Sequence, residues 1–219
     1  MSETTSNSKP VAVYELITHG EGETDDSSYL GGLPPLGARA WPCDEDGVPF
    51  THVGTFRVET LGAEVSAVAV FAAVDDREER FAGNELPMPV LLLDELGEEV
   101  QAPAGAQVLS RRPLKRRRIA EVKAGGDSVE VHFTEDDQRE TFDELEEALG
   151  EILEASRGSI SGGWAYNPSI FLDDEDRERQ DAARGAFVAQ LSGALFGGEV
   201  DFCGGGWLFV HRNGAWAEQ

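Results

Sequence analysis

Apolar positions recur along this chain in three patterns, and each predicts a different element. Continuous runs come first. Val65 to Val74 is nearly all apolar and rich in valine, which suits a strand buried on both faces better than a helix. Val11–Ile17, rich in β-branched residues, and Pro87–Leu93, bounded by prolines, are further strands. Period two marks Ser128–Phe133, where Val129, Val131 and Phe133 would share the core face and His132 would look to solvent. Phe50–Val58 alternates more weakly, and Phe187–Leu191 and Gly206–His211 close the chain as strands. The helical period appears from Thr141 to Ser156, where Phe142, Leu145, Leu149, Ile152 and Leu153 fall on one face. Thr141 and Glu144 have the capping-box spacing, and Gly158 is the stop. Asp173–Ala186 is a second helix candidate with only alanines on its apolar face.

Between these lie polar or turn-forming stretches. Residues 1–9 read as a disordered leader and His19–Ser28 as a loop. Residues 31–37 are dense in Gly and Pro, Asp44–Gly47 is a tight turn, and 94–107 is a long acidic connection. The expected fold is α+β: β-rich antiparallel sheets, about eight strands against about two helices, with no β-α-β alternation. Residues 10–219 form one domain, in halves of about 10–110 and 111–219. Neither half has enough strands to cover a sheet face, so one core should span both. Val68, Val70, Phe71, Val131, Leu145, Leu149, Ile152 and Leu208 should be buried in it.

Charge narrows the function classes. Against 42 acidic residues stand 18 basic ones, a formal charge of -24 over 219 residues. That opposes direct contact with nucleic acid, which needs net cation on the contact face, and opposes docking on anionic membrane. No apolar run approaches the ~20 residues of a membrane span. The polar MSETTSNSKP lacks the order of a signal peptide, and two cysteines, Cys43 and Cys203, make no disulfide scaffold. A cytoplasmic location is the expectation. Six of the basic residues crowd into Arg111–Arg118. With Pro113, Leu114 and Ile119 interleaved, this run reads as an edge strand whose arginines discourage edge pairing.

Two stretches resemble one another. Gly31-Gly32-Leu33-Pro34 and Trp41-Pro42 precede strands in the first half. Gly162-Gly163-Trp164 and Asn167-Pro168 precede Phe187–Leu191 and Gly204–Val210 in the second. An internal pseudo-repeat is therefore expected. On these same residues the chain resembles the YwqG-like family, a bacterial domain of unknown function. The matching segments are Gly31–Pro34, Trp41-Pro42, Gly47–Pro49, Val188–Leu191 and Cys203–Val210, so the likeness covers roughly 30–74 and 159–211. Where that family carries a glutamine in its first-half strand, this chain reads His52-Val53-Gly54-Thr55; Gln190 keeps the second-half position. The resemblance implies a β-rich α+β domain and no activity.

Catalytic and metal signatures are weak. His19, His52, His132 and His211 lie on separate elements, with no nucleophile elbow and no zinc spacing. No catalytic residue, cofactor or metal is assigned. Asp173, Asp174, Glu175 and Asp176 lack the calcium-loop pattern and read as solvated acidic surface. Trp41 and Trp164 flank the two Gly-Gly turns and could share a cleft, with Gly31, Gly32, His52, Gln190 and His211 around it. The expected function is a non-enzymatic binding module. Its acidic surface, including residues 173–176, would attract a basic protein, as an immunity protein neutralises a toxin. The alternative is a small-molecule-binding or hydrolytic enzyme using the cleft between the halves.

Overall fold

The computed structural model describes residues 10–18, 22–57, 65–73, 88–125, 128–135, 137–143, 147, 148, 150–152, 160, 161, 187–196 and 206–218. The leader, Trp164, Asp173–Asp176 and the second helix candidate lie outside the described residues, as do the side chains of Leu145 and Leu149.

Among the described residues, twelve strands form one antiparallel sheet. They are β1 (Val11–Ile17), β2 (Glu23–Leu30), β3 (Thr51–Arg57), β4 (Ala67–Ala72), β5 (Val90–Leu93), β6 (Arg112–Gly125), β7 (Ser128–Phe133), β8 (Gln138–Phe142), β9 (Ile160–Ser161), β10 (Phe187–Ser192), β11 (Trp207–His211) and β12 (Gly214–Glu218). The main path runs β12-β11-β10-β9-β1-β6-β2-β3-β4-β5, with β7 and β8 branching from β6. Two meanders, β2–β5 and β9–β12, thus flank a central β1–β6 pair. The register slips once in β3, between His52 and Gly54, and once in β10, between Phe187 and Ala189.

The path curls until its ends touch, where the Ala215 N–H of β12 donates to the Met88 carbonyl just ahead of β5 (3.3 Å). Inside the curl lies a core drawn from both halves: Leu16, Leu30, Val53, Val68, Val70, Leu114, Val188, Leu191, Leu208 and Val210 among others. This is a barrel-like enclosure filled by side chains. Outside it, Ala67, Ala69 and Phe71 from the other face of β4 pack under Leu36 and Phe50. β4 is therefore buried on both faces, as its unbroken apolar run requires. A separate cluster joins Val13, Ile119, Val122, Val129, Val131, Phe142, Ala148 and Ile152.

β6 makes the branching possible. One of its edges pairs with β1 along 115–122. The other is shared: β2 takes residues from 112 to 116 and β7 takes 120–125. The changeover falls at Ile119, which is skipped in the β1 register and whose carbonyl accepts the Thr134 N–H (2.8 Å). The arginine-rich run is consequently a central strand, and the edge-strand expectation is overturned. Its arginines are tolerated because each has somewhere to go. Arg112 reaches the Leu195 carbonyl (3.4 Å), Arg116 lies over the Tyr14 ring (4.9 Å), Arg117 pairs with Glu15, and Arg118 pairs with Glu121.

Two further expectations change. Thr141 and Phe142 belong to β8, where Phe142 opposes Val129, so they are not the start of a helix. Cross-strand pairing with β7 holds them extended, and helix is described only at 147, 148 and 150–152, beside a 3-10 turn at Gly193–Phe196. The segment read as a loop before Ser28 contains β2, which sits between β6 and β3 despite its polar sequence. Strand predominates throughout, with antiparallel pairing at every ladder and little helix among the described residues.

Candidate functional site

The first cluster forms where β2 ends and the chain turns back. Gly31 and Gly32 both adopt positive φ (58° and 66°). A Cβ on Gly31 would lie 2.4 Å from the Ser110 carbonyl oxygen, so only glycine fits. The turn is pinned by Gly31 N–H to Val53 O (2.7 Å) and Gly32 N–H to Leu109 O (2.9 Å). Beneath it sits His52, 1% exposed. Its Nδ1 is 3.1 Å from the Gly32 carbonyl, which can only accept, so Nδ1 carries the proton. Nε2 then accepts from the Thr55 hydroxyl (3.1 Å). Tyr29 and Phe71 flank the ring with centroids at 5.9 and 5.2 Å. Phe71 in turn meets Trp41 at 5.5 Å, and the Trp41 indole donates to the Phe50 carbonyl (2.7 Å).

Burial pushes the His52 pKa down to about 4, and the hydrogen bond to the Gly32 carbonyl only partly opposes it. Burial also raises the Tyr29 hydroxyl above its usual value, while the Arg111 charge pulls the other way; that hydroxyl donates to the Leu33 carbonyl (2.8 Å). Arg111 stacks over Tyr29 at 3.8 Å and pairs with Glu99. His52 is thus neutral and held at both nitrogens. It can work as a general base only by giving up the Thr55 bond.

Gln190 and His211 belong to the other meander. Gln190 opposes Ile160 on β9 and Phe209 on β11, and Ile160 opposes Glu15 on β1. Glu15, Gln190 and Phe209 alternate with the interior residues Leu16, Leu191 and Leu208 and so face the other way, yet Glu15 and Gln190 are each only 2% exposed. Glu15 is held by Arg117 (2.7 Å). Gln190 Oε1 has no hydrogen-bond partner among the described residues. Five ladder steps separate β10 from β3, about 24 Å along the sheet at ~4.8 Å per step. Among the expected site residues, then, Gly31, Gly32, Trp41 and His52 come together. Gln190 and His211 lie on a different flank.

A surface feature only partly legible in the sequence lies over the first cluster. Residues 31–50 and 94–111 fold into one cap. Gly37 N–H donates to Glu98 O, and Gly97 and Val100 N–H donate to Pro35 and Pro34 O, each at 3.0 Å. A Cβ on Gly97 would sit 2.7 Å from the Gly37 Cα, so the two stretches touch at backbone distance. Gly105 abuts the Pro49 ring. The cap exposes Asp44, Glu45, Asp46, Asp94, Glu95, Glu98 and Glu99. Its two cations, Arg39 and Arg111, are engaged by Asp94 and Glu99. The large hydrophobics that stand exposed among the described residues, Val48 (55%), Leu96 (45%) and Val108 (55%), are all on this cap. Asp44 holds Val48 outward by accepting the Asp46 and Val48 N–H groups (3.0 and 2.8 Å). The acidic run at 94–99 was visible in the sequence; its union with the 44–48 turn depends on the fold.

Among the described residues no helix is long and apolar enough to cross a membrane, and no cluster of three or more His, Cys, Asp or Glu is placed to hold a metal. Neither a protein-family model nor a curated protein matches the chain.

Proposed function

We propose that this chain is a non-enzymatic, acidic protein-binding module of the YwqG-like type, and that its partner is a basic protein. The cap carries the reading. It sets seven exposed carboxylates beside three exposed aliphatic side chains, with both of its arginines already paired internally. Exposed apolar groups rimmed by one sign of charge suit a protein interface, with the charge speeding encounter and the apolar groups adding contact. The concrete version is a cytoplasmic immunity-type protein that neutralises a basic toxin. The cleft-enzyme alternative needs His52 and Gln190 in one site, and five ladder steps lie between their strands.

The two halves read as copies of one unit. Gly31-Gly32 follows β2 and Gly162-Gly163 follows β9 in the sequence, and each meander's second strand slips register once. The central pairs are self-consistent under exchange of the halves: β1 and β6 run antiparallel, β2 joins β6, and β9 joins β1. Thr55 and Gln190 then occupy equivalent positions, opposite Tyr29 and Ile160.

The test begins with capture at low salt and proceeds with the isolated partner. Its association rate is measured from low to 1 M salt against the wild type, a Glu95→Lys/Glu98→Lys variant and a variant reversing Asp173, Asp174, Glu175 and Asp176. Expected are a rate that falls with salt, as screening shortens from ~10 Å to ~3 Å, and a slower rate in the variants. A rate indifferent to both would sink the reading.

A further inference from the structure

Among the described residues no strand pairs along the outer edge of β5 beyond the Ala215 contact at Met88, and the chemistry of that edge matches the partner just proposed. The Phe71 N–H donates to the Pro89 carbonyl (3.0 Å), and Leu91 and Leu93 oppose Ala69 and Ala67. Odd-numbered residues therefore turn their backbone groups toward β4, and even-numbered ones turn theirs away. Two contacts agree: Met88 O accepts from Ala215 on the outer side, and Leu92 O accepts from the Arg39 guanidinium. Val90 N–H, Val90 C=O and Leu92 N–H also point outward, and no partner meets them among the described residues.

Edge strands are usually blunted by proline or charge. Pro89 does not blunt this one, because its missing N–H is on the β4 side. The side chains of Val90, Leu91 and Leu92 are apolar and partly exposed. Among the described residues, Arg39, tethered to Asp94, stands over the edge at Leu92, and Ala215 meets it at Met88. Directly after the strand come Asp94, Glu95, Glu98 and Glu99 of the cap.

We infer that the β5 edge is the docking line for an extended, basic segment of the partner protein, which adds to the sheet as a further strand. This rests on the acidic-module reading and supplies its mode of recognition. The incoming backbone bonds Val90 and Leu92 and displaces Arg39 from the Leu92 carbonyl. Its apolar side chains join Val90 and Leu92 at the rim of the barrel core, and its lysines or arginines meet the carboxylates of 94–99. Main-chain bonds give the affinity and alternate side chains the selectivity, as in other strand additions.

The probe is an acetylated, amidated octapeptide of alternating valine and lysine, tested on the full chain. Expected is slowed amide exchange at Val90 and Leu92 in excess peptide. Val90→Pro should weaken binding by about tenfold or more, since it removes an outward donor that β4 does not use. Val90→Ala, which keeps the amide, should bind within about threefold of wild type. A peptide N-methylated on alternate residues gives the same answer if Val90→Pro fails to fold: binding should be lost for one of its two methylation phases. Undetectable binding at millimolar peptide overturns the proposal, and so does binding with unchanged exchange at Val90 and Leu92. Salt-sensitive partner association that persists with those amides unprotected would reject the edge while leaving the acidic module standing. Association indifferent to salt and to the charge reversals rejects the module itself.

Discussion

Acid should destabilise this protein through one histidine. His52 is buried and neutral, with a pKa near 4 when folded and 6.5 when the chain is open. Above pH 6.5 both states leave it neutral and it adds no pH dependence. Between 6.5 and 4 the unfolded state binds a proton that the folded state refuses, so stability falls with pH. The difference of roughly 2.5 units, at 1.36 kcal/mol each, amounts to about 3 kcal/mol between pH 7 and pH 4. Protonation of the many carboxylates changes stability over the same range, so the measurement must be differential. Urea unfolding of the wild type and of His52→Gln at half-unit steps gives two curves, and their difference isolates the imidazole. The wild type should lose about 3 kcal/mol relative to the variant on going from pH 7 to 4. Parallel curves, or an imidazole that titrates near 6.5 by NMR in the folded protein, would refute the reasoning. Either result would mean that the Gly32 and Thr55 bonds do not hold a dry ring.

Other outcomes follow from the same geometry. Gly31→Ala should cost upward of 2 kcal/mol in urea melts, because its φ of 58° and the Ser110 oxygen both oppose a Cβ; Gly47→Ala, at φ 80° with open space around it, should cost about 1. Glu15→Ala should cost about 2–3 kcal/mol, since it removes the buried partner of Arg117, whereas breaking the exposed Arg118–Glu121 pair should cost under about 0.5. Leu208→Ala should destabilise by about 2–5 kcal/mol and still give one calorimetric transition, because its core draws on both halves; two transitions would contradict that.

The sequence by itself determined which segments could be buried. The unbroken, valine-rich run around Val68 and Val70 favoured a strand covered on both faces over a helix, and the alternation of Val129 and Val131 favoured a strand with one face turned inward. It also determined the turn at Gly31-Gly32, where a side chain cannot fit, and the acidic balance. Tertiary structure decided the rest. β2 is polar and has no pattern of its own; it is a strand because β6 and β3 offer it ladders on both sides. Phe142 suits either a helix face or a hairpin, and pairing with Val129 chose the hairpin. Periodicity records which side of an element is covered, and it carries no record of the neighbour. For the same reason six cations in eight positions look like an exposed edge until Glu15, Glu99, the Tyr14 and Tyr29 rings and the Leu195 carbonyl come from other parts of the chain to meet four of the arginines. Whether His52 and Gln190 share a site was likewise a question of strand order, which is set by the closure of long loops rather than by local sequence.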